Sequence, residues 1–146
     1  MQNFKIGKKV VGKNKPCFIV AELSGNHNGK ISTIKKMIIS AKKAKVDAVK
    51  IQTYTANTIT INSTKKDFLI NKKTPWKNEK NLWHLYNKAY TPFEWHEEIF
   101  YFCKKNNIIV FSSPFDESAF YLLEKLNCPA YKIASPEINH LPLIEL

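Results

Sequence analysis

Short apolar runs alternate with helix-period segments along most of this chain. That rhythm constrains the fold more than any other feature, because strand–helix repeats pack as a parallel sheet covered by crossover helices. Cys17-Phe18-Ile19-Val20-Ala21 is continuously apolar and reads as a strand buried on both faces. Ile34, Met37, Ile38, Ala41 and Ala44 then recur at helical spacing, with Ser32 or Thr33 as the cap and Lys35, Lys36, Lys42 and Lys43 on the far side. Ala48–Gln52 reads as the second strand. The stretch from Thr53 to about Lys80 has no period and is long for a connector, so it reads as a lid. A short helix is predicted over Leu82–Lys88. Thr91-Pro92-Phe93-Glu94 predicts a helix start with Thr91 as N-cap and Glu94 completing a capping box, followed by an apolar face of Trp95, Ile99, Phe102 and Cys103. Ile108–Phe111 is the third strand. Asp116 caps a helix that buries Ala119, Leu122, Leu123 and Leu126, and Ala130–Ala134 is the fourth strand. Leu141–Ile144 opens a further helix, and a hairpin (Phe4–Lys8, then Lys9–Val11) precedes the whole. The expected fold class is α/β, a parallel sheet with crossover helices.

The net charge of +11 invites a nucleic-acid reading, but all 23 basic residues are lysine. Base-edge readout and bidentate phosphate clamps rely on arginine. The lysines, scattered in pairs such as Lys8-Lys9 and Lys104-Lys105, read as a solvated surface rather than a polyanion footprint. No run approaches the roughly 18 apolar residues of a membrane span, and the first residues lack a signal-peptide core. The expectation is a cytoplasmic protein without membrane or specific nucleic-acid partners. Cys17, Cys103 and Cys128 are odd in number and form no CxxC pair, so they read as free, buried thiols. His27, His84, His96 and His140 show no metal-ligand spacing, and His84 and His96 read as structural or surface groups.

Polar residues gather where each strand ends: Glu22 with Ser24, Asn26 and His27; Lys50 and Gln52; Ser112 and Ser113; Lys132 and Ser135. In parallel α/β folds sites form at these carboxyl ends. Lys50 and Gln52 share one strand face, roughly 7 Å apart, while Val49 and Ile51 face helices. A lysine inside an apolar strand is costly unless an anion meets it. Lys50 and Lys132 in corresponding positions, with nearby hydroxyls, point to a receptor for a small, multiply charged anion. Glu22 suits hydrogen bonding to sugar hydroxyls or proton transfer, and a salt bridge to Lys50 fits the sequence nearly as well. Ser113 has no evident His–Asp partners and does not read as a nucleophile.

Four ordered segments resemble the sialic acid synthase family: Ala21-Glu22-Leu23-Ser24-Gly25-Asn26-His27-Asn28-Gly29, Val49-Lys50-Ile51-Gln52-Thr53, Phe111-Ser112-Ser113-Pro114-Phe115-Asp116 and Tyr131-Lys132-Ile133-Ala134-Ser135. Leu23-Ser24-Gly25, Gln52-Thr53-Tyr54-Thr55 and the Ala89–His96 run look most like its pseudaminic acid-forming branch. The resemblance implies condensation of phosphoenolpyruvate with an open-chain amino sugar, here 2,4-diacetamido-2,4,6-trideoxy-altrose, with release of phosphate. It implies that Lys50, Gln52, Ser113, Lys132 and Ser135 hold phosphoenolpyruvate. Glu22 would be the catalytic carboxylate, with Asn26 and His27 near the sugar. Pro136 and His140 depart from the residues usual after the Lys-Ile-Ala-Ser run.

By the same resemblance the fold is a (β/α)₈ barrel, which takes about 250 residues. Residues 1–146 would then be its N-terminal half. The rest of the barrel, two histidines that bind a divalent metal (Mn or Mg) and an antifreeze-like domain would lie beyond residue 146, leaving no metal ligands within these residues. The whole enzyme is expected to be a homodimer, and these residues alone are expected not to catalyse synthesis. Alternatives are an N-acetylneuraminate or legionaminic acid synthase, or a non-catalytic anion- or partner-binding half barrel.

Overall fold

The computed structural model describes residues 3–146. A hairpin opens the chain: β1 (Phe4–Ile6) and β2 (Lys9–Val11) pair antiparallel. Gly7 turns the chain between them at φ 55°, a left-handed value that glycine adopts freely. There follow β3 (Val20–Glu22), α1 (Ile31–Lys43), β4 (Ala48–Thr53), α2 (Ala56–Ile59), α3 (Leu82–Ala89), α4 (His96–Lys105), β5 (Ile109–Pro114), α5 (Glu117–Lys125) and α6 (Leu141–Ile144). Single 3₁₀ turns cover Lys66–Phe68, Phe93–Trp95 and Ser135–Glu137.

The second sheet is parallel, in the order β3-β4-β5. Its register sets Glu22 beside Lys50, and Gln52 beside Ser113. Period-two alternation on β4 divides the two faces. Val49 and Ile51 are fully buried in one core with Ile34 and Ile38 of α1 and Ile99 and Cys103 of α4. Each such aliphatic side chain contributes about 1.5–3 kcal/mol by leaving water. Lys50 and Gln52 lie on the opposite face and are half-buried. A second cluster, Tyr54, Phe115 and Ala134 with Ile59, Tyr86 and Tyr90 against it, gathers the segments that leave β4 and β5.

Capping chemistry sets some helix starts and fails at others. Asp116 Oδ1 accepts the Ala119 N–H at 2.9 Å, as its sequence position predicts. Asn81 does the same for α3, accepting the His84 N–H at 3.0 Å. Neither Ser32 nor Thr33 caps α1, which starts two to three residues earlier, at Ile31 behind Lys30, with no side-chain cap. The capping box at Thr91 and Glu94 does not form. Pro92 stays extended (φ −51°, ψ 136°), a 3₁₀ turn intervenes, and α4 starts only at His96. Ala44 caps the end of α1 and is exposed rather than packed.

Two expected strands are corrected. The first covers Val20–Glu22 rather than Cys17–Ala21, and it is not buried on both faces: Ile19 is 49% and Val20 38% exposed. Among the described residues it pairs with β4 alone. The fourth, Ala130–Ala134, reduces to one parallel bridge between Ser112 and Tyr131 and a Lys132 N–H donated to the Ser112 carbonyl at 3.1 Å. Among the described residues it too has a strand partner on one side alone. Cys17 is exposed, Cys103 buried and Cys128 half-buried, so the expectation of buried thiols fails at Cys17. Burial pushes the Cys103 thiol up to about 12, leaving it a neutral core group. Among the described residues no helix is long and apolar enough to cross a membrane.

Candidate functional site

The sheet register brings four of the expected residues to one face. Lys50 is the centre, its side chain only 12% exposed. It ion-pairs with Glu22 on the neighbouring strand and donates to Ser113 Oγ at 3.3 Å on the other. The salt bridge that the sequence leaves open for Glu22 therefore forms. Glu22 also accepts from the Ser24 N–H at 2.9 Å and hydroxyl at 3.2 Å. Those bonds hold Ser24 in a left-handed conformation (φ 47°) that a serine seldom takes.

Gln52, one pleat further along β4, opens onto a cleft of about 380 Å³. Lys132 and Ser135 line the same cleft, with Tyr54, Tyr86 and Phe115 as its aromatic floor. Burial, together with the nearby Tyr86, pushes the Tyr54 phenol up to about 12, so it is a neutral donor here. Lys132 is exposed and, among the described residues, has no ion-pair partner. Lys50 and Ser113 are not on the cleft wall; they stand behind it on the sheet face.

Glu137 also lines this cleft, and the sequence reading did not single it out. It is 9% exposed, and its buried Oε2 has no hydrogen-bond partner among the described residues. Burial raises its pKa above the usual carboxylate range, while the charges of Lys132 and His140 pull the other way. Its carboxyl group therefore holds a proton more readily than an exposed carboxylate does. The available signal is its position, an acidic residue two places after the Lys-Ile-Ala-Ser run.

Asn26 lines a second cleft, of about 420 Å³, which shares Gln52, Tyr54 and Tyr86 with the first. Gly25 makes this wall possible: a Cβ there would come within 2.5 Å of the Ala89 carbonyl oxygen, so only glycine lets the loop lie against α3. Leu69, Ile70, Asn71, Thr74 and Trp76 form the opposite side, so the long connection after β4 walls a cleft.

His27 joins neither cleft. It is 1% exposed, accepts the Gly29 N–H on Nδ1 at 3.1 Å, and meets Trp95 edge-on at 5.5 Å. Burial depresses its pKa, against the raising pull of the Ala89 and Tyr90 carbonyls.

Behind the strand ends runs a buried polar chain. His96 Nδ1 lies 3.0 Å from the Pro92 carbonyl and must donate to it, so Nε2 accepts from the Thr53 hydroxyl at 2.8 Å. Thr53 Oγ1 is 2.7 Å from Ser112 Oγ, which also reaches the Ile51 carbonyl at 3.1 Å. Burial depresses the His96 pKa, which keeps the ring neutral as this pattern requires. Thr53 and Ser112 adjoin Gln52 and Ser113, so the chain fixes the two strand ends that present the cleft residues.

Among the described residues, no three His, Cys, Asp or Glu side chains converge as a metal-holding group. The donor set does not fit the divalent cation that the resemblance implies.

Parallel strands with crossover helices and a polar cleft at their carboxyl ends define an α/β fold of the half-barrel type. A model of the NeuB family matches residues 37–146, and the chain belongs to that family. It is 50% identical over 130 residues to the pseudaminic acid synthase of Helicobacter pylori, covering 89% of this chain and 38% of that protein. It is 45% identical over 144 residues to a pseudaminic acid synthase of Campylobacter jejuni, covering 99% of this chain and 39% of the relative. The chain thus spans well under half the length of these curated relatives. The crystal structure of an N-acetylneuraminic acid synthetase from Leptospira borgpetersenii in complex with citrate superposes with a TM-score of 0.78 at 28% identity, covering 99% of this chain and 45% of that one. The fold is therefore the α/β half barrel that the resemblance implies.

Proposed function

We propose that this chain is the phosphoenolpyruvate-holding part of a pseudaminic acid synthase. The reaction joins carbon 3 of phosphoenolpyruvate to the aldehyde of 2,4-diacetamido-2,4,6-trideoxy-altrose. The enol π pair forms that bond while the aldehyde oxygen takes a proton; water then adds at the electron-poor carbon 2, and the bond from carbon 2 to the phosphate oxygen breaks, releasing inorganic phosphate and leaving a 2-keto acid. The single observation that carries the reading is the cleft in which unpaired Lys132 meets Gln52, Ser135 and the buried Glu137. A lysine without a carboxylate partner is free to take an external anion. The hydroxyl and amide around it supply neutral donors, and Glu137 is placed to hold a proton next to the bound ester.

In this role Lys50 and Ser113 sit behind Gln52 and complete the anion-binding face once Lys50 exchanges Glu22 for substrate. Glu22, released from Lys50, is the carboxylate for sugar hydroxyls or proton transfer, with Asn26 beside it; His27 orders their loop. The similarity to two pseudaminic acid synthases supports the choice of sugar. Residues 1–146 act as the front half of the barrel. The divalent cation would be held by residues other than these. From the resemblance alone, the whole enzyme is a cytoplasmic homodimer.

The test is steady-state kinetics of the natively expressed protein, following phosphate release from phosphoenolpyruvate and the sugar. Lys132→Ala should raise KM for phosphoenolpyruvate about tenfold to a hundredfold, the size of one charge-assisted contact, with the unfolding midpoint unchanged. Unchanged KM for phosphoenolpyruvate would remove the anion assignment.

A further inference from the structure

Lysines that look scattered along the sequence are gathered by the fold. The strands of the parallel sheet begin on the face opposite the two clefts, and the opening hairpin lies on that face. A Cβ on Gly7 would come 3.3 Å from the Ile109 side chain, where β5 starts, and Lys9 Nζ meets Asp47 at 3.0 Å, just before β4. The hairpin and the segment leaving it carry Lys5, Lys8, Lys9, Lys13 and Lys15. Lys42, Lys43 and Lys45 stand at the end of α1, Lys104 and Lys105 at the end of α4, and Lys125 at the end of α5. All eleven are exposed. Asp47 and Glu124 are the acidic residues of these segments, and both are engaged, with Lys9 and with the Tyr131 hydroxyl. The other twelve lysines share the rest of the chain with ten carboxylates, so most of the net charge of +11 sits on this one face. Six of the eleven lysines follow from the helices, because cations favour helix C-termini and crossover helices all end here. The five lysines of the hairpin have no helix to serve.

We infer that this face docks on an anionic lipid surface. A lysine ammonium is a hydrated point charge on a flexible stem. It suits a mobile layer of phosphate groups, which polybasic segments bind without a shaped pocket. Protein interfaces are depleted of lysine, and sequence readout of DNA relies on arginine, which this chain lacks. Apolar groups stand among the charges of the hairpin: Phe4 is 52% and Val10 40% exposed, and Val10 pairs with Lys5 across the two strands. Such side chains enter the headgroup boundary while neighbouring lysines stay with the phosphates. Docked this way, both clefts face away from the bilayer and stay open to soluble substrates, so docking needs nothing from the proposed chemistry.

Co-sedimentation of the natively expressed protein with vesicles tests this. At about 0.1 M salt the protein should bind vesicles of equimolar phosphatidylglycerol and phosphatidylcholine and should not bind phosphatidylcholine alone. Raising the salt to about 0.5 M should release it, because screening shortens the reach of each charge. The combined variant Lys5→Glu, Lys8→Glu, Lys13→Glu should bind at least about a hundredfold more weakly, roughly fivefold for each lysine lost. The combined variant Lys30→Glu, Lys65→Glu, Lys66→Glu makes the same change of net charge on the cleft side, more than a Debye length from the bilayer, and should stay within about threefold of the native protein. All six positions are exposed, and the comparison of vesicles and salt in the native protein needs neither variant to fold. Absent binding to the anionic vesicles, equal binding to the neutral ones, or equal losses in the two variants would each overturn the lipid face. Release from the vesicles by duplex DNA or polyglutamate at matched charge would also overturn it, in favour of a soluble polyanion.

Discussion

The seam between β4 and β5 and the two flanks of the sheet use the same raw material, short apolar runs interrupted by lysine and serine. At the seam, six consecutive residues pair, from Ala48 with Ile109 to Thr53 with Pro114. On one flank β3 is a three-residue strand. On the other, Ala130–Ala134 makes a single bridge at Tyr131. What separates them is the number of partners. β4 is paired on both sides and covered by α1 and α4, so Val49 and Ile51 are fully buried. Among the described residues the flanking segments pair on one side only, and apart from the buried Ala134 their apolar residues stay partly in water. Strand propensity is thus realised in proportion to the partners and burial available. The cleft residues follow the same division. Lys50 is engaged with Glu22 and Ser113, whereas Lys132, on the flank, has no ion-pair partner among the described residues.

The largest effect should come from cutting the seam's packing. Ile51→Ala removes a fully buried side chain between β4 and the helix layer. It should cost about 2–5 kcal/mol, measured by chemical denaturation. A cost below about 1 kcal/mol would mean the seam is no better packed than the flanks.

Next in size is the buried polar chain behind the strand ends. Thr53→Val keeps the shape and removes the hydroxyl between His96 and Ser112, leaving His96 Nε2 without its donor. The expected cost is about 1–3 kcal/mol. The chain also predicts a pH dependence. His96 and His27 both have pKa values lowered by burial, so the unfolded chain binds protons more readily than the native one. Their stabilising neutrality is complete above the ordinary histidine pKa of about 6.5 and is lost as pH falls through the lower native values. Glu137, raised by burial, works in the opposite sense: its contribution is full below the ordinary carboxylate pKa and fades as pH rises through the higher native value. The unfolding midpoint should therefore fall below about pH 6, and His96→Asn should flatten that fall without removing the part due to His27. An identical profile in the variant would place His96 outside the linkage.

Much of this seam is legible in the sequence, and the reason is local. Alternation in Ala48-Val49-Lys50-Ile51-Gln52 fixes which residues meet the helices and which meet the cleft, because strand geometry permits only two faces. Asp116 is legible as a cap for the same local reason. The Thr53–Ser112–His96 chain is not, since its members lie 43 and 59 positions apart and meet only through the fold. Thr91 misleads because its motif is locally sound, yet the 3₁₀ turn after Pro92 delays the helix and buries Thr91. Glu137 and the second cleft escape because burial and wall chemistry are tertiary properties. Trp76 and Leu69 belong to a segment with no period from which to infer a face.

The smallest effect sharpens the contrast between seam and flank. Val20→Thr and Val49→Thr are the same chemical change on neighbouring strands of one sheet, at 38% and 0% exposure. At Val49 the new hydroxyl meets a dry core with no free partner, for a cost of about 1–3 kcal/mol. At Val20 water solvates it, and the cost should stay within about 0.5 kcal/mol. That value holds only while the outer flank of β3 is open in the natively expressed protein. If another strand covers that flank, from the rest of a barrel or from a second copy, Val20 becomes a seam residue and its cost rises to that of Val49. Denaturation of the two variants side by side therefore reports whether the sheet's edge is closed in the working protein: a wide gap means an open edge, and equal costs mean a covered one.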